Sequence, residues 1–221
     1  ELQGFFLTFE GIEGCGKSTQ VKLLKSYLKE LGYDVLVTRE PGDGEMGCRI
    51  RELLLSVTST LDPLTELFLL AADRTRHVVE IVEPALKAGR VVISDRYTDS
   101  SMAYQGYGRG LLTEFVQEIN EKATGGVFPD MTLVLDLSPE VSVIRSRQRL
   151  RQQDMFEAEG RFEQESLDFH GRVRDGYLDI ARNDPERVTV VDATESIEDL
   201  FETLKNIITT RLKIWEQGID R

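Results

Sequence analysis

The stretch Phe5-Phe6-Leu7-Thr8-Phe9-Glu10-Gly11-Ile12-Glu13-Gly14-Cys15-Gly16-Lys17-Ser18 decides the fold. Its first five residues form a short aromatic and apolar run, which predicts a strand buried on both faces and therefore central in a sheet. From Ser18 the period changes. Val21, Leu24, Leu28 and Leu31 recur at helical spacing, lysines take the other face, and Gly32 supplies a stop. A strand, a glycine loop and a helix thus follow in order. Further apolar strands read at Asp34 to Thr38, Val91 to Ser94, Met131 to Leu137 and Val188 to Val191, separated by segments of helical period. That alternation predicts an α/β fold: a mostly parallel sheet with helices on both faces.

Helix starts are marked at Asp62-Pro63 and Ser138-Pro139, where a capping side chain precedes a proline at the first helical position. Pro84 interrupts the long segment from Pro63 to Lys87 and predicts a kink or break, with Gly89 closing it. Ile197 to Trp215 reads as a terminal docking helix. Arginines at 145, 147, 149, 151 and 161, around a polar, glycine-containing middle, read as a mobile lid over about 145–161 within a single domain spanning 1–221.

The chain has 221 residues, 27 lysines plus arginines against 39 acidic residues, and a formal charge of −12. Such a balance argues against a protein that coats nucleic acid by neutralising phosphates, so a phosphate ligand needs a local positive site. No apolar run approaches the ~20 residues that cross a bilayer, and no signal-peptide pattern is visible, so the expectation is a cytoplasmic chain without membrane contact. Its first residue is Glu1 rather than Met, which reads as a leftover of added sequence or a truncated start. Cys15 and Cys48 are too few for a disulfide framework, and with His77 and His170 they form no zinc-ligand spacing. Cys48, His77 and His170 read as packing or surface residues.

Gly11 through Ser18 fits glycine, four residues, glycine, lysine and a hydroxyl residue, the pattern that cradles nucleotide phosphates. Glycines let the backbone approach phosphate oxygens, while converging N–H groups and the helix N-terminus supply partial positive charge. Lys17 reaches terminal phosphates, and Ser18 offers its hydroxyl to Mg²⁺. The expected ATP contacts are Gly11, Ile12, Glu13, Gly14, Cys15, Gly16, Lys17, Ser18 and Thr19. The Asn-Lys-x-Asp string with which GTPases read guanine is missing; Asn120-Glu121-Lys122 fails it. A kinase, an ATPase motor and a regulatory ATP-binding protein remain.

Asp95-Arg96-Tyr97 follows directly on an apolar strand, at the carboxyl edge where open α/β sheets bind ligands. A carboxylate there can hold Mg²⁺ through water, and Arg96 can offer a fork to a phosphate; a structural ion pair is the plain alternative.

With these stretches the sequence resembles the thymidylate kinase family. The resemblance rests on Phe9-Glu10-Gly11 through Thr19, Thr38-Arg39-Glu40-Pro41-Gly42, Ala71-Ala72-Asp73-Arg74, Asp95-Arg96-Tyr97, Ser100-Ser101-Met102-Ala103-Tyr104-Gln105-Gly106 and Gly160-Arg161-Phe162-Glu163, in the family's order and spacing. It implies a three-layer P-loop NTPase fold with a five-stranded parallel sheet, a homodimer, and transfer of the γ-phosphoryl group of ATP to dTMP with Mg²⁺. Carried over by position, Glu13 faces the acceptor nucleotide near its sugar. Arg39, Arg96 and the Glu40-Pro41 turn contact the acceptor phosphate and sugar, the bond before Pro41 being typically cis in the family. Arg51 and Arg74 lie near the thymine, and Ser101 and Gln105 meet its edge. Tyr104 packs where a ribose 2′-hydroxyl would go, against the alternative of ordinary helix packing. Ser18 and Asp95 are the metal-side residues.

Members of the family place catalytic arginine either in the phosphate loop or in the lid. This loop has none, so Arg145, Arg149 and Arg161 are expected to join Lys17, Asp95 and Arg96 in catalysis, with Arg147 and Arg151 behind them and a solvated basic helix face as the alternative. Two departures stand out. The family commonly stacks thymine on an aromatic four residues before Arg74, where this chain has Leu70; Phe68 points about 200° away on a helix and is expected in the core. Asp43-Gly44 replaces the family's common glycine and threonine. A kinase for another nucleotide and a non-catalytic ATP-binding regulator are the competing readings.

Overall fold

A computed structural model describes residues 3–218; Glu1 and the other terminal residues of the 1–221 span lie outside it. Its elements run β1 (Phe5–Glu10), α1 (Lys17–Glu30), β2 (Val35–Arg39), α2 (Gly44–Leu55), α3 (Pro63–His77), α4 (Glu83–Lys87), β3 (Val91–Asp95), α5 (Thr98–Ser101), α6 (Thr113–Thr124), β4 (Met131–Asp136), α7 (Pro139–Gln152), α8 (Phe156–Glu159), α9 (Leu167–Asn183), β5 (Val188–Asp192) and α10 (Ile197–Glu216). All five strands are parallel, in the order β2-β3-β1-β4-β5, so β1 is central as its apolar run predicts.

Period-two alternation sorts β1 between the layers. Phe5, Leu7 and Phe9 enter the core beneath α1 and α10 with Leu24, Leu28, Leu204 and Ile208. Phe6 points the other way, against Val78, Val82, Leu86 and Tyr97. Each such aromatic burial stabilises the fold by about 1.5–3 kcal/mol. Further along that second face the strand turns polar: Thr8 shares a hydrogen bond with Thr132 at 2.7 Å, and Glu10 is fully buried. Polarity therefore accumulates at the carboxyl edge of the sheet, where ligands bind in open α/β folds.

The caps form as expected. Asp62 accepts from the Leu64 and Thr65 amides, and Ser138 accepts from that of Val141. Pro84 does not break its helix. Between α3 and α4 the chain widens into a π-helical segment, Val78–Val82, in which the Glu83 amide bonds to the Val78 carbonyl five residues back. The widened turn carries the chain past proline's missing donor without leaving helical geometry.

A second π-helical segment, Met102–Gly108, continues α5 and crosses α9 closely. A Cβ on Gly108 would sit 2.8 Å from Phe169 and Val173 atoms, and one on Gly176 would meet the Tyr107 ring at 2.8 Å. Glycine at both positions is thus a packing requirement.

Candidate functional site

One cleft of about 580 Å³ opens at the carboxyl edge of the sheet, lined by the glycine loop, the β2 and β3 ends, α3, the Met102–Gly108 segment and α7. Gly11, Gly14 and Gly16 all have positive φ, which bends the loop into a bowl. A Cβ on Gly14 would lie 2.5 Å from the Ser142 carbonyl, so its absence lets α7 rest on the loop. Lys17 Nζ donates to the Gly11 and Ile12 carbonyls at 2.9 and 3.1 Å and lies 3.5 Å from Cys15 Sγ. Cys15 and Ile12 themselves turn beneath the loop into apolar clusters, leaving Glu13, Gly14, Gly16, Lys17, Ser18 and Thr19 to line the cleft. Ser18 Oγ donates to Asp95 Oδ2 at 3.2 Å, so the two residues expected beside Mg²⁺ adjoin.

Arg96 occupies the left-handed region at φ 73, a strained conformation for a long side chain. What holds it there is its guanidinium. Nη1 donates to the Gly11 carbonyl, Ser100 Oγ and Tyr177 OH, all at 3.1 Å, and Nη2 donates to Glu13 Oε1 at 3.0 Å. Tyr104 OH donates to the same Glu13 oxygen at 2.6 Å, and its ring lies 5.0 Å from the Arg96 guanidinium carbon. Burial would raise the Glu13 carboxyl, but Arg96, His170 and Lys17, with the Tyr104 hydroxyl, hold it below the usual range. Burial, followed by the Asp99 carboxylate, pushes the neighbouring Glu10 up to about 7.

Just past the end of β2 the Glu40–Pro41 bond is cis. Glu40 turns inward: Arg74 Nε donates to Oε2 at 2.8 Å, and His77 Nδ1 meets Oε1 at 2.7 Å. Arg74 is buried and further donates to Ser101 Oγ, Asn120 Oδ1 and the Tyr97 carbonyl. Gln105 and Ser101 stand beside it in the wall, with Leu70 as the residue facing the cleft. Arg39 lines the cleft and is exposed. Arg51 forms a two-point pair with Glu159 of α8 at 2.9 and 2.8 Å and donates to the Pro41 carbonyl.

The arginine-rich segment divides by helical phase. Arg145 and Arg149, four residues apart on α7, line the cleft. Arg147 faces away and donates to the Glu163 carbonyl at 2.8 Å; Arg151 lies over the Phe156 ring. Arg161 stands apart from the Arg145 and Arg149 pair. It is buried outside the cleft wall, donating to the Leu54 carbonyl at 3.0 Å and to Glu66 at 2.7 Å, because two internal acceptors claim its guanidinium. Phe68 is corrected: it is 48% exposed on the outer face of α3, not part of the core.

Several cleft residues escaped the sequence reading: Lys22, Leu54, Leu150, Gln153, Glu159, Phe162 and Glu163. The Gly160–Glu163 string pointed to the last two only as a motif. Neither histidine is plain packing. His77 braces Glu40 and bonds Thr38 Oγ1 at 2.6 Å, while His170 Nδ1 lies 3.7 Å from Glu13. Among the described residues no group of three or more His, Cys, Asp or Glu could hold a metal, and no helix is long and apolar enough to cross a membrane.

Comparison with known proteins agrees with this arrangement. A family model described as thymidylate kinase matches residues 9–204. The thymidylate kinase of Desulfovibrio desulfuricans is 50% identical, over 97% of this chain and all of that one. Its counterpart from Maridesulfovibrio salexigens is 46% identical over 94% and 96%. A crystal structure of thymidylate kinase from Ehrlichia chaffeensis superposes with a TM-score of 0.74 at 35% identity, covering 93% of this chain and 98% of that one. With a phosphate loop, an Asp95–Arg96 strand end and an arginine-lined α7 around one cleft, this chain belongs to the thymidylate kinase family.

Proposed function

We infer that the protein is a kinase that transfers the γ-phosphoryl group of ATP to dTMP, giving dTDP and ADP. In the reaction the bond from the γ-phosphorus to its bridging oxygen breaks, and a bond from a dTMP phosphate oxygen to that phosphorus forms. The observation that carries the reading is the two-ended cleft: a cationic loop with Lys17, Arg145 and Arg149 at one end, a buried pocket of Arg74, Ser101 and Gln105 at the other.

Phosphoryl transfer asks the protein chiefly to align two phosphates and neutralise their charge. We assign Lys17 and the loop amides to the ATP phosphates, and Arg145 and Arg149 to the group in transit. Arg39, exposed along the cleft, and Arg96 are assigned to the acceptor phosphate. Arg74, Ser101 and Gln105 are assigned to the base, with Leu70 and Phe162 as apolar cleft surface. Tyr104, tied to Glu13, is assigned to the sugar. Arg161 receives no place on the transferred group, since it lies outside the cleft wall that Arg74 and Arg96 line.

The adjoining Ser18 hydroxyl and Asp95 carboxylate suit Mg²⁺, a hard cation that takes oxygen donors, retains waters and needs few protein ligands. Bound there, Mg²⁺ supplies charge neutralisation to the phosphates. The reading also places the enzyme in the cytoplasm, where the free thiols of Cys15 and Cys48 stay reduced. It makes the chain a homodimer, supported by the apolar face that α3 exposes at Leu64 and Phe68.

An ADP-release assay across dTMP, dUMP, UMP, CMP and AMP tests the assignment: selective turnover of dTMP is expected, and preference for another acceptor overturns it. Lys17→Ala should abolish that turnover while leaving the circular dichroism spectrum unchanged.

A further inference from the structure

Glu66 sits on α3 with its carboxylate wholly buried, and every group around it is a donor. Oε1 accepts from Gln105 Nε2 at 2.6 Å and Arg109 Nε at 3.1 Å; Oε2 accepts from Arg109 Nη2 at 3.1 Å and Arg161 Nη2 at 2.7 Å. A carboxylate flanked by two guanidinium groups can only accept. That leaves Gln105 one orientation: its NH₂ faces Glu66 and its carbonyl points the other way. Among the described residues the carbonyl oxygen, Gln105 Oε1, is buried with no hydrogen-bond partner, although the residue forms part of the cleft wall beside Ser101, Arg74 and Leu70. Buried polar atoms are nearly always paired, so this acceptor calls for a donor from the ligand.

We propose that Glu66 is the positioning residue for base choice, a step that rests on the dTMP kinase reading. By fixing Gln105 as a pure acceptor, it selects a pyrimidine whose ring N3 carries hydrogen, as in thymine, over cytosine, whose N3 is itself an acceptor. A free amide could turn over and serve either base. Arg109 and Arg161 brace the carboxylate, which gives the arginine of the Gly160–Glu163 string a role through Glu66.

Glu66→Gln tests this, because a glutamine at 66 can donate as well as accept and so releases the amide of Gln105. With the full chain, kcat/KM is measured for dTMP and dCMP, with thermal melting as the folding control. The dTMP:dCMP ratio should fall at least about tenfold, mainly through the KM for dTMP, with the KM for ATP unchanged. Glu66→Asp, which still only accepts, should keep the ratio. A merely structural role slows both substrates alike, so an unchanged ratio in folded E66Q overturns the proposal. If E66Q does not fold, a crystal structure of the wild-type enzyme with dTMP decides: N3 within hydrogen-bond distance of Gln105 Oε1 supports the proposal, and N3 out of reach overturns it. A wild-type enzyme that does not phosphorylate dTMP instead removes the functional reading beneath it.

Discussion

His170 Nδ1 lies 3.7 Å from Glu13 Oε2, and among the described residues neither atom has a hydrogen-bond partner. The other Glu13 oxygen is held by Arg96 and Tyr104, so the imidazole is the counterpart on the free side of a carboxylate that lines the cleft. His170→Phe keeps a ring of similar bulk but leaves that oxygen facing an apolar edge. We expect a loss of about 1–3 kcal/mol in stability, read by chemical denaturation. A lower kcat/KM for dTMP at unchanged KM for ATP should accompany it. Full stability and activity would show that Glu13 needs only Arg96 and Tyr104.

Glu10 predicts a pH dependence. It accepts from the Tyr97 amide, Ser100 Oγ and Tyr177 OH, yet burial and the Asp99 carboxylate raise its carboxyl from 4.5 to about 7, against the opposing pull of Arg96. Arg187, paired with Asp99, is the other charge on that cluster. A folded pKa above the unfolded one means that the stabilising contribution of the protonated carboxyl is complete below about 4.5 and lost as pH rises to about 7. Glu10→Gln mimics the protonated group. Relative to wild type it should therefore gain stability between those values, by up to about 3 kcal/mol, and show no further gain above about pH 8. Thermal melts of both proteins from pH 4 to 8.5 check this; a difference that does not vary with pH would mean that Glu10 does not titrate there.

Much of the fold was legible because it depends on local rules. The aromatic run at Phe5–Phe9 located the central strand, and Asp62 and Ser138 marked helix starts by capping chemistry. Pro84 causes no break because proline's cost is set by the register of the surrounding turn, and the π-helical turn ahead of it absorbs the defect. Within the site, the phosphate loop and Asp95–Arg96 were readable as contiguous strings. The contact of Arg161 with Glu66 was not, since the two are 95 residues apart in the chain. His170 and Glu13 likewise meet only through tertiary packing.

Phe68 shows how a periodic reading fails at a surface. Leu64 and Phe68 are four residues apart on α3 and are 40% and 48% exposed, so they form an apolar strip that the monomer does not cover. If that strip joins two copies, Phe68→Glu should convert a dimer to a monomer in sedimentation velocity, because two carboxylates would enter an apolar contact. An unchanged sedimentation coefficient would take Phe68 out of the interface.

The arginines of the 145–161 segment should separate by where each points. Arg145 and Arg149 line the cleft one helical turn apart, and among the described residues neither guanidinium has a hydrogen bond or salt bridge to the protein. An arginine that stabilises charge on a transferring phosphoryl group contributes on the order of 10³ in rate or more, so Arg149→Ala should lower kcat by about that factor while the KM for ATP changes little. Arg147 does not line the cleft and is bound to the Glu163 carbonyl, and Arg147→Ala should leave kcat within a few-fold of wild type. Arg161→Ala differs from both, because it strips one of two guanidinium groups from the buried Glu66. Its primary effect should be destabilisation of about 3–5 kcal/mol, the range for removing one partner of a buried ion pair. Pre-steady-state transfer rates and melting curves for the three variants distinguish these outcomes. Equal losses of kcat in Arg147→Ala and Arg149→Ala would show that the segment acts as a diffuse positive surface, with no single guanidinium aimed at the reacting phosphate.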